Sequence, residues 1–207
     1  MIFESILMKN TKSIIENPDH ALKKLMDGNK RYANDRFIHP DQTIEHRIEV
    51  AKEQHPFAII LGCSDSRVPP EVIFDQGIGD LFVIRVAGNC LDDVVIGSVE
   101  YAVAHLGVQL LLVLGHDKCG AIDAAIKHSE SRDHISNIIH LLKPAIKRAK
   151  GSSGDLLDNV VKTNVELVVT QLKSSQPILI EFLKARKLKI VGALYHLNSG
   201  VVDIIVP

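Results

Sequence analysis

Three short runs are apolar at nearly every position: residues 57–61 (FAIIL), 81–86 (LFVIRV) and 109–114 (QLLLVL). A strand with one wet face alternates apolar and polar side chains, whereas an unbroken apolar run means that both faces are covered, as in a parallel sheet between helices. Residues 92–106 and 118–128 follow two of these runs with helical spacing, so strand and helix alternate. Near the start, residues 18–36 (PDHALKKLMDGNKRYANDR) carry a helical pattern that Asn17 or Asp19 can cap. His39-Pro40 closes it, because the residue before a proline is pushed out of the helical region. Residues 1–40 read as a helical arm rather than a core element. Between 43 and 54 (TIEHRIEVAKEQ), Ile44, Ile48 and Ala51 share a face, Thr43 can cap, and His55-Pro56 stops the run.

Residues 129–187 form a long helical region, amphipathic at 137–149 and 156–172 with a GSSGD break between, and expected to serve packing and assembly. The chain closes on 188–197 and 201–206, strand-like runs on either side of Asn198-Ser199-Gly200 and expected as a hairpin-like pair at the sheet edge. No internal repeat is found. The pattern predicts a three-layer α/β fold: a mainly parallel central sheet, about four parallel strands plus an antiparallel edge strand, flanked by helices.

Composition narrows the class. With 207 residues and 46% hydrophobic content the chain is expected to be one domain, residues 1–207, whose core needs neither disulfides nor repeats. Its 24 basic and 25 acidic side chains leave a formal charge of -1, which offers no footprint for nucleic acid or an anionic membrane; a small neutral or anionic substrate fits better. Three cysteines cannot all pair with one another, which points to a reducing compartment. The opening MIFESILMKNTK is interrupted by Glu4, too short and too polar for a secretory signal or a membrane span, so a cytoplasmic location is expected.

Candidate chemistry concentrates in residues 59–71 (IILGCSDSRVPPE) and 111–121 (LLVLGHDKCGA). Each apolar run breaks at a Gly and delivers soft or charged side chains: Cys63, Asp65 and Arg67 from the first, His116 and Cys119 from the second. Both occupy carboxyl ends of strands, where open parallel sheets collect ligands at the point at which strand order reverses. Two thiols and an imidazole make three zinc ligands. Taken singly, a Gly-Cys at a strand end can merely pack, since free Cys is among the most buried residue types. A phosphatase or sulfurtransferase loop needs a longer spacing than Cys63 to Arg67, and Asp65 would repel its anionic substrate. Cys119 is expected in the first turn of a helix opened by Asp117 or Lys118, where amide dipoles favour a thiolate. The two stretches together are far more restrictive than either alone.

These residues resemble the beta-class carbonic anhydrases, from about residue 29 to the C-terminus. The resemblance implies one Zn2+ per chain on Cys63, His116 and Cys119, with Asp65 and Arg67 as a paired catalytic dyad beside the fourth position. It implies a substrate pocket walled by Gln54, Phe82, Ala87, Tyr101 and Gly120; Ala87 stands where many relatives carry Val. Cys90 matches no ligand position. The implied reaction is reversible hydration of carbon dioxide to bicarbonate and a proton, by attack of zinc-bound hydroxide on carbon dioxide in an apolar pocket. The family builds that pocket across a dimer interface, so a homodimer or tetramer is expected. Some members close the site by moving the aspartate onto zinc as a fourth ligand and hold inhibitory bicarbonate at a separate site that uses a Trp. Here Ile60 replaces that Trp, although Arg85 matches a partner residue, and Asp65 is expected to stay paired with Arg67. A related carbon disulfide or carbonyl sulfide hydrolase and a catalytically dead zinc-stabilised module are the alternatives. The ten histidines give no unique proton carrier.

Overall fold

A computed structural model describes residues 17–128 and 133–207 of the chain; the apolar patch at the start lies outside them. Five strands form one sheet in the order β2-β1-β3-β4-β5. They are β1 (Ala58–Gly62), β2 (Leu81–Arg85), β3 (Leu110–His116), β4 (Lys189–Tyr195) and β5 (Val202–Val206). The first four are mutually parallel and β5 pairs antiparallel with β4. The expected class is therefore observed, with the terminal hairpin at one edge.

Every residue of β1 and β3 is buried. Alternate side chains of β1 explain why: Ile59 and Leu61 point into one apolar layer, Ala58 and Ile60 into the other. On the first face lie α4 (Asp93–Ala104), α7 (Leu156–Ser174) and α8 (Ile178–Lys184); on the second lie α1 (Pro18–Ala33) and the short α3 (Pro70–Ile73). Beyond the strand ends, α5 (Gly120–Lys127) and α6 (Ile135–Ala149) pack with α7 around the three cysteines. Among the described residues no helix is long and apolar enough to cross a membrane.

Several expectations are corrected. The run 81–86 reads like the buried strands, yet β2 is only partly buried, because topology places it at the sheet edge. Residues 18–33 do not behave as a loose arm: Ala21 and Leu25 are buried in the second layer. A Cβ on Gly28 would penetrate the carbonyl oxygen of Phe74, so only glycine permits this approach of α1 to α3. Asn29 clamps the same helix to the hairpin, donating to Gly200 O at 2.8 Å and accepting from Val202 N at 2.9 Å. Helix α2 (Ile44–Val50) is capped by Thr43 as expected but stops short of Gln54 and buries nothing; Ile44 and Ile48 are more than 60% exposed.

Candidate metal centre

In the strand order, β1 and β3 are neighbours whose onward connections run to opposite sides of the sheet, β1 to β2 and β3 to β4. Such a switch point leaves a crevice beyond the carboxyl ends of the two central strands. Cys63 follows β1 into it, and His116 ends β3 there. Lys118 then turns in the left-handed region at φ 51°, a conformation unusual for a non-glycine residue, and brings Cys119 back beside His116. Cys119 is the N-cap of α5 and not part of its first turn as the sequence suggested.

The result is a buried triangle. Side-chain atoms of Cys63, His116 and Cys119 lie within 4.8 Å of one another, and among the described residues they form a group that could hold a metal ion. The two sulfurs are 4.0 Å apart and not joined in a disulfide, close to the roughly 3.8 Å that tetrahedral ligation at zinc–sulfur lengths demands. His116 Nδ1 lies 2.8 Å from the carbonyl oxygen of Asp117; a carbonyl only accepts, so Nδ1 donates its proton and Nε2 presents a lone pair. That Nε2 is buried without a partner. A buried unpaired acceptor is costly, and a metal ion would satisfy it. The donor set therefore fits zinc.

Electrostatics agree. Cys63 Sγ accepts from the amides of Asp65 at 3.4 Å and Gly88 at 3.2 Å. The Cys119 thiol first, then His116 and these amides, outweigh burial and draw the Cys63 thiol down to about 4. Donation to Cys63 and burial push the Cys119 thiol up. Cys90 contrasts with both: burial, helped by the Cys63 charge, raises its thiol to about 12, as suits a spectator.

Asp65 and Arg67 form the expected pair, with Arg67 Nε to Asp65 Oδ1 at 2.9 Å and a terminal guanidinium nitrogen to Oδ2 at 2.8 Å. That bidentate contact holds the Asp65 carboxyl down at about 2. Oδ2 also lies 4.0 Å from His116 Nε2, so the carboxylate borders the ligand triangle while bound to Arg67. Two supports stand behind the pair, Asn164 without a signal in the sequence and Arg85 noted there only as a match to a partner residue of a bicarbonate site. Arg85 reaches from β2 to the carbonyls of Cys63, at 2.9 Å, and Asp65, at 2.6 Å, and buried Asn164 on α7 donates to Gly88 O at 3.0 Å. Each bond joins residues distant in sequence, which periodicity cannot reveal.

The five expected pocket residues separate into two groups. Ala87 opens the turn whose next amide touches Cys63, and Gly120 follows Cys119. Gln54 is exposed on the loop entering β1, at the opposite end of the strand from Cys63; Ala58 to Cys63 alone spans about 16 Å. Phe82 pairs with Ile59, also away from the site, and its ring lies 6.1 Å from that of Tyr101 on α4, which is 46% exposed. Ile60 is fully buried within β1.

Fold and site thus define a three-layer α/β protein with a Cys-His-Cys ligand set at its switch point. Comparison with known proteins agrees. A family model described as carbonic anhydrase matches residues 58–202. The chain is 38% identical over 192 residues to the carbonic anhydrase of Mycolicibacterium smegmatis, covering 91% of this chain and 93% of the relative. It is 38% identical over 188 residues to carbonic anhydrase 2 of Mycobacterium tuberculosis, covering 89% and 91%. Among solved structures, the Coccomyxa beta-carbonic anhydrase in complex with acetazolamide superposes with a TM-score of 0.72 at 28% identity, over 89% of this chain and 86% of that one. The chain belongs to the beta-class carbonic anhydrase family.

Proposed function

We propose that the chain, acting as one domain over residues 1–207, catalyses the zinc-dependent reversible hydration of carbon dioxide to bicarbonate and a proton. The observation that carries this is the unpartnered, buried Nε2 of His116 facing two cysteine sulfurs beside the Asp65–Arg67 pair. Cys63, His116 and Cys119 would hold one Zn2+ per chain. Zinc with three protein ligands supplies Lewis acidity that makes water a nucleophile near neutral pH.

The remaining chemistry belongs to the chain's own side chains. Asp65, kept ionised by Arg67, accepts a hydrogen bond from the attacking water on a free lone pair and so aims that water at carbon dioxide. Arg67 also donates to the carbonyl of Lys118 at 3.3 Å, which ties the dyad to the loop between the second and third ligands. Ala87 and Gly120 wall the pocket from within the chain. Gln54, Phe82 and Tyr101, at the far end of the sheet, would wall the pocket of a second copy, which makes at least a homodimer the active unit and is compatible with a tetramer. The exposed face of Ile44 and Ile48, ten residues or fewer before Gln54, is apolar surface suited to that contact. A near-neutral charge and the absence of disulfides suit a cytoplasmic enzyme with no nucleic-acid partner.

Stopped-flow carbon dioxide hydration, run beside elemental analysis, tests the reading. Stoichiometric zinc and an activity removed by Cys119→Ala are expected; zinc-loaded protein without hydration activity would refute the proposal.

A further inference from the structure

We propose that Asp117 is a positioning residue for the ligand imidazole of His116, acting by anchoring to the turn between β4 and β5 the residue whose carbonyl oxygen holds the ring. The proposal rests on the zinc reading above. His116 can present Nε2 only while Nδ1 is held from behind, and what holds it is the carbonyl oxygen of Asp117. A carbonyl orients a ring only as well as the residue that carries it is fixed.

Asp117 is fixed at both backbone and side chain. Its amide donates to Tyr195 O at 3.1 Å, which carries the β3–β4 ladder one rung past the His116–Tyr195 pair. Its Oδ1 accepts the amide of Leu197 at 3.1 Å. Its Oδ2 faces His196 Nδ1 at 3.8 Å, while His196 Nε2 lies 3.0 Å from Asp203 Oδ2 on β5. The turn it grips is itself anchored: within it Gly200 N donates to His196 O at 2.8 Å and His196 N to Val201 O at 2.9 Å, and Asn29 holds it from α1.

The ordinary explanation for an acidic residue just before α5 is a helix cap. That explanation fails here, because the N-cap is Cys119 with no side-chain cap bond, and the Asp117 carboxylate contacts Leu197 N and His196 on the β4–β5 side. The carboxylate therefore serves the loop that carries His116 and not the helix that follows. Its removal would leave the Leu197 amide unpaired and free the Asp117 carbonyl to turn away from the ring.

The test uses zinc affinity by chelator competition, the electronic spectrum of cobalt-substituted protein, and the His116 Nδ1–H proton resonance of the zinc-loaded protein. Asp117→Ala should weaken zinc binding by about 10–100-fold, alter the cobalt spectrum, and shift or broaden the imidazole resonance. Asp117→Asn keeps an oxygen for Leu197 N–H and should restore all three readouts to near the parent values. Parent-like affinity and spectrum in Asp117→Ala would overturn the proposal, as would Asp117→Asn losing zinc as severely as the alanine variant. Should the alanine variant fail to fold, Asp117→Asn alone decides by its cobalt spectrum and imidazole resonance. Parent protein that binds no stoichiometric zinc would overturn the zinc reading and this proposal with it; an indifferent alanine variant in a zinc-binding parent overturns this proposal alone.

Discussion

The Cys63 thiol is drawn well below its ordinary range because the Cys119 thiol and two backbone amides point at its sulfur, while Cys119 and Cys90 are both shifted the other way. The sign follows. A thiol ordinarily ionises near pH ~8.5, so a folded value near 4 favours the fold fully above the ordinary range, and that contribution declines as pH falls and is gone below about 4. Apo protein titrated in the ultraviolet should therefore show the absorbance of one thiolate at neutral pH, lost as the pH is lowered through about 4. Absence of any thiolate at pH ~7 would contradict this. That Cys63, His116 and Cys119 group together, and that Asp65 pairs with Arg67, was legible because their spacing repeats a chemical pattern. The supporting contacts of Arg85, Asn164 and Asp117 were not, since each acts across a contact between distant segments.

At the scale of elements, unbroken apolar runs announced β1 and β3 correctly, but the same pattern cannot say which strand lies at an edge, and β2 is half exposed. Helix α1 shows the opposite failure. The sequence suggested an arm, yet a narrow stripe of Ala21, Leu25 and Gly28 seats it against the sheet and α3. Arg31 strengthens the seat by donating to Asp75 Oδ2 at 2.6 Å, a carboxylate that also accepts from the amides of Ile38 and His39. Gly28→Ala should accordingly cost about 2 kcal/mol or more, because the new methyl meets backbone and not a movable side chain. Denaturant unfolding of the purified variant measures this; a stability equal to the parent's would show that α1 yields freely.

For the whole molecule, the separation of Gln54, Phe82 and Tyr101 from the ligand triangle is what the sequence alone could not reveal, because a resemblance assigns residues to a pocket without saying which copy supplies them. Gln54→Ala should retain zinc and lower turnover by about 10²–10³-fold, the usual effect of losing one oriented donor. Co-expression with Cys119→Ala subunits should recover part of that activity if one copy lends Gln54 to another's ligands; no recovery in verified mixed oligomers would place the pocket within one chain. The grip of Asp117 on the β4–β5 turn also bears on the order in which the chain is made. All three ligands have left the ribosome once Cys119 emerges, but Tyr195, Leu197 and the Asn29-anchored hairpin arrive some eighty residues later. During synthesis the nascent chain thus carries thiols and an imidazole able to meet metal before the geometry that aims them exists, and the last strands to be translated convert a loose chelating sequence into a fixed site.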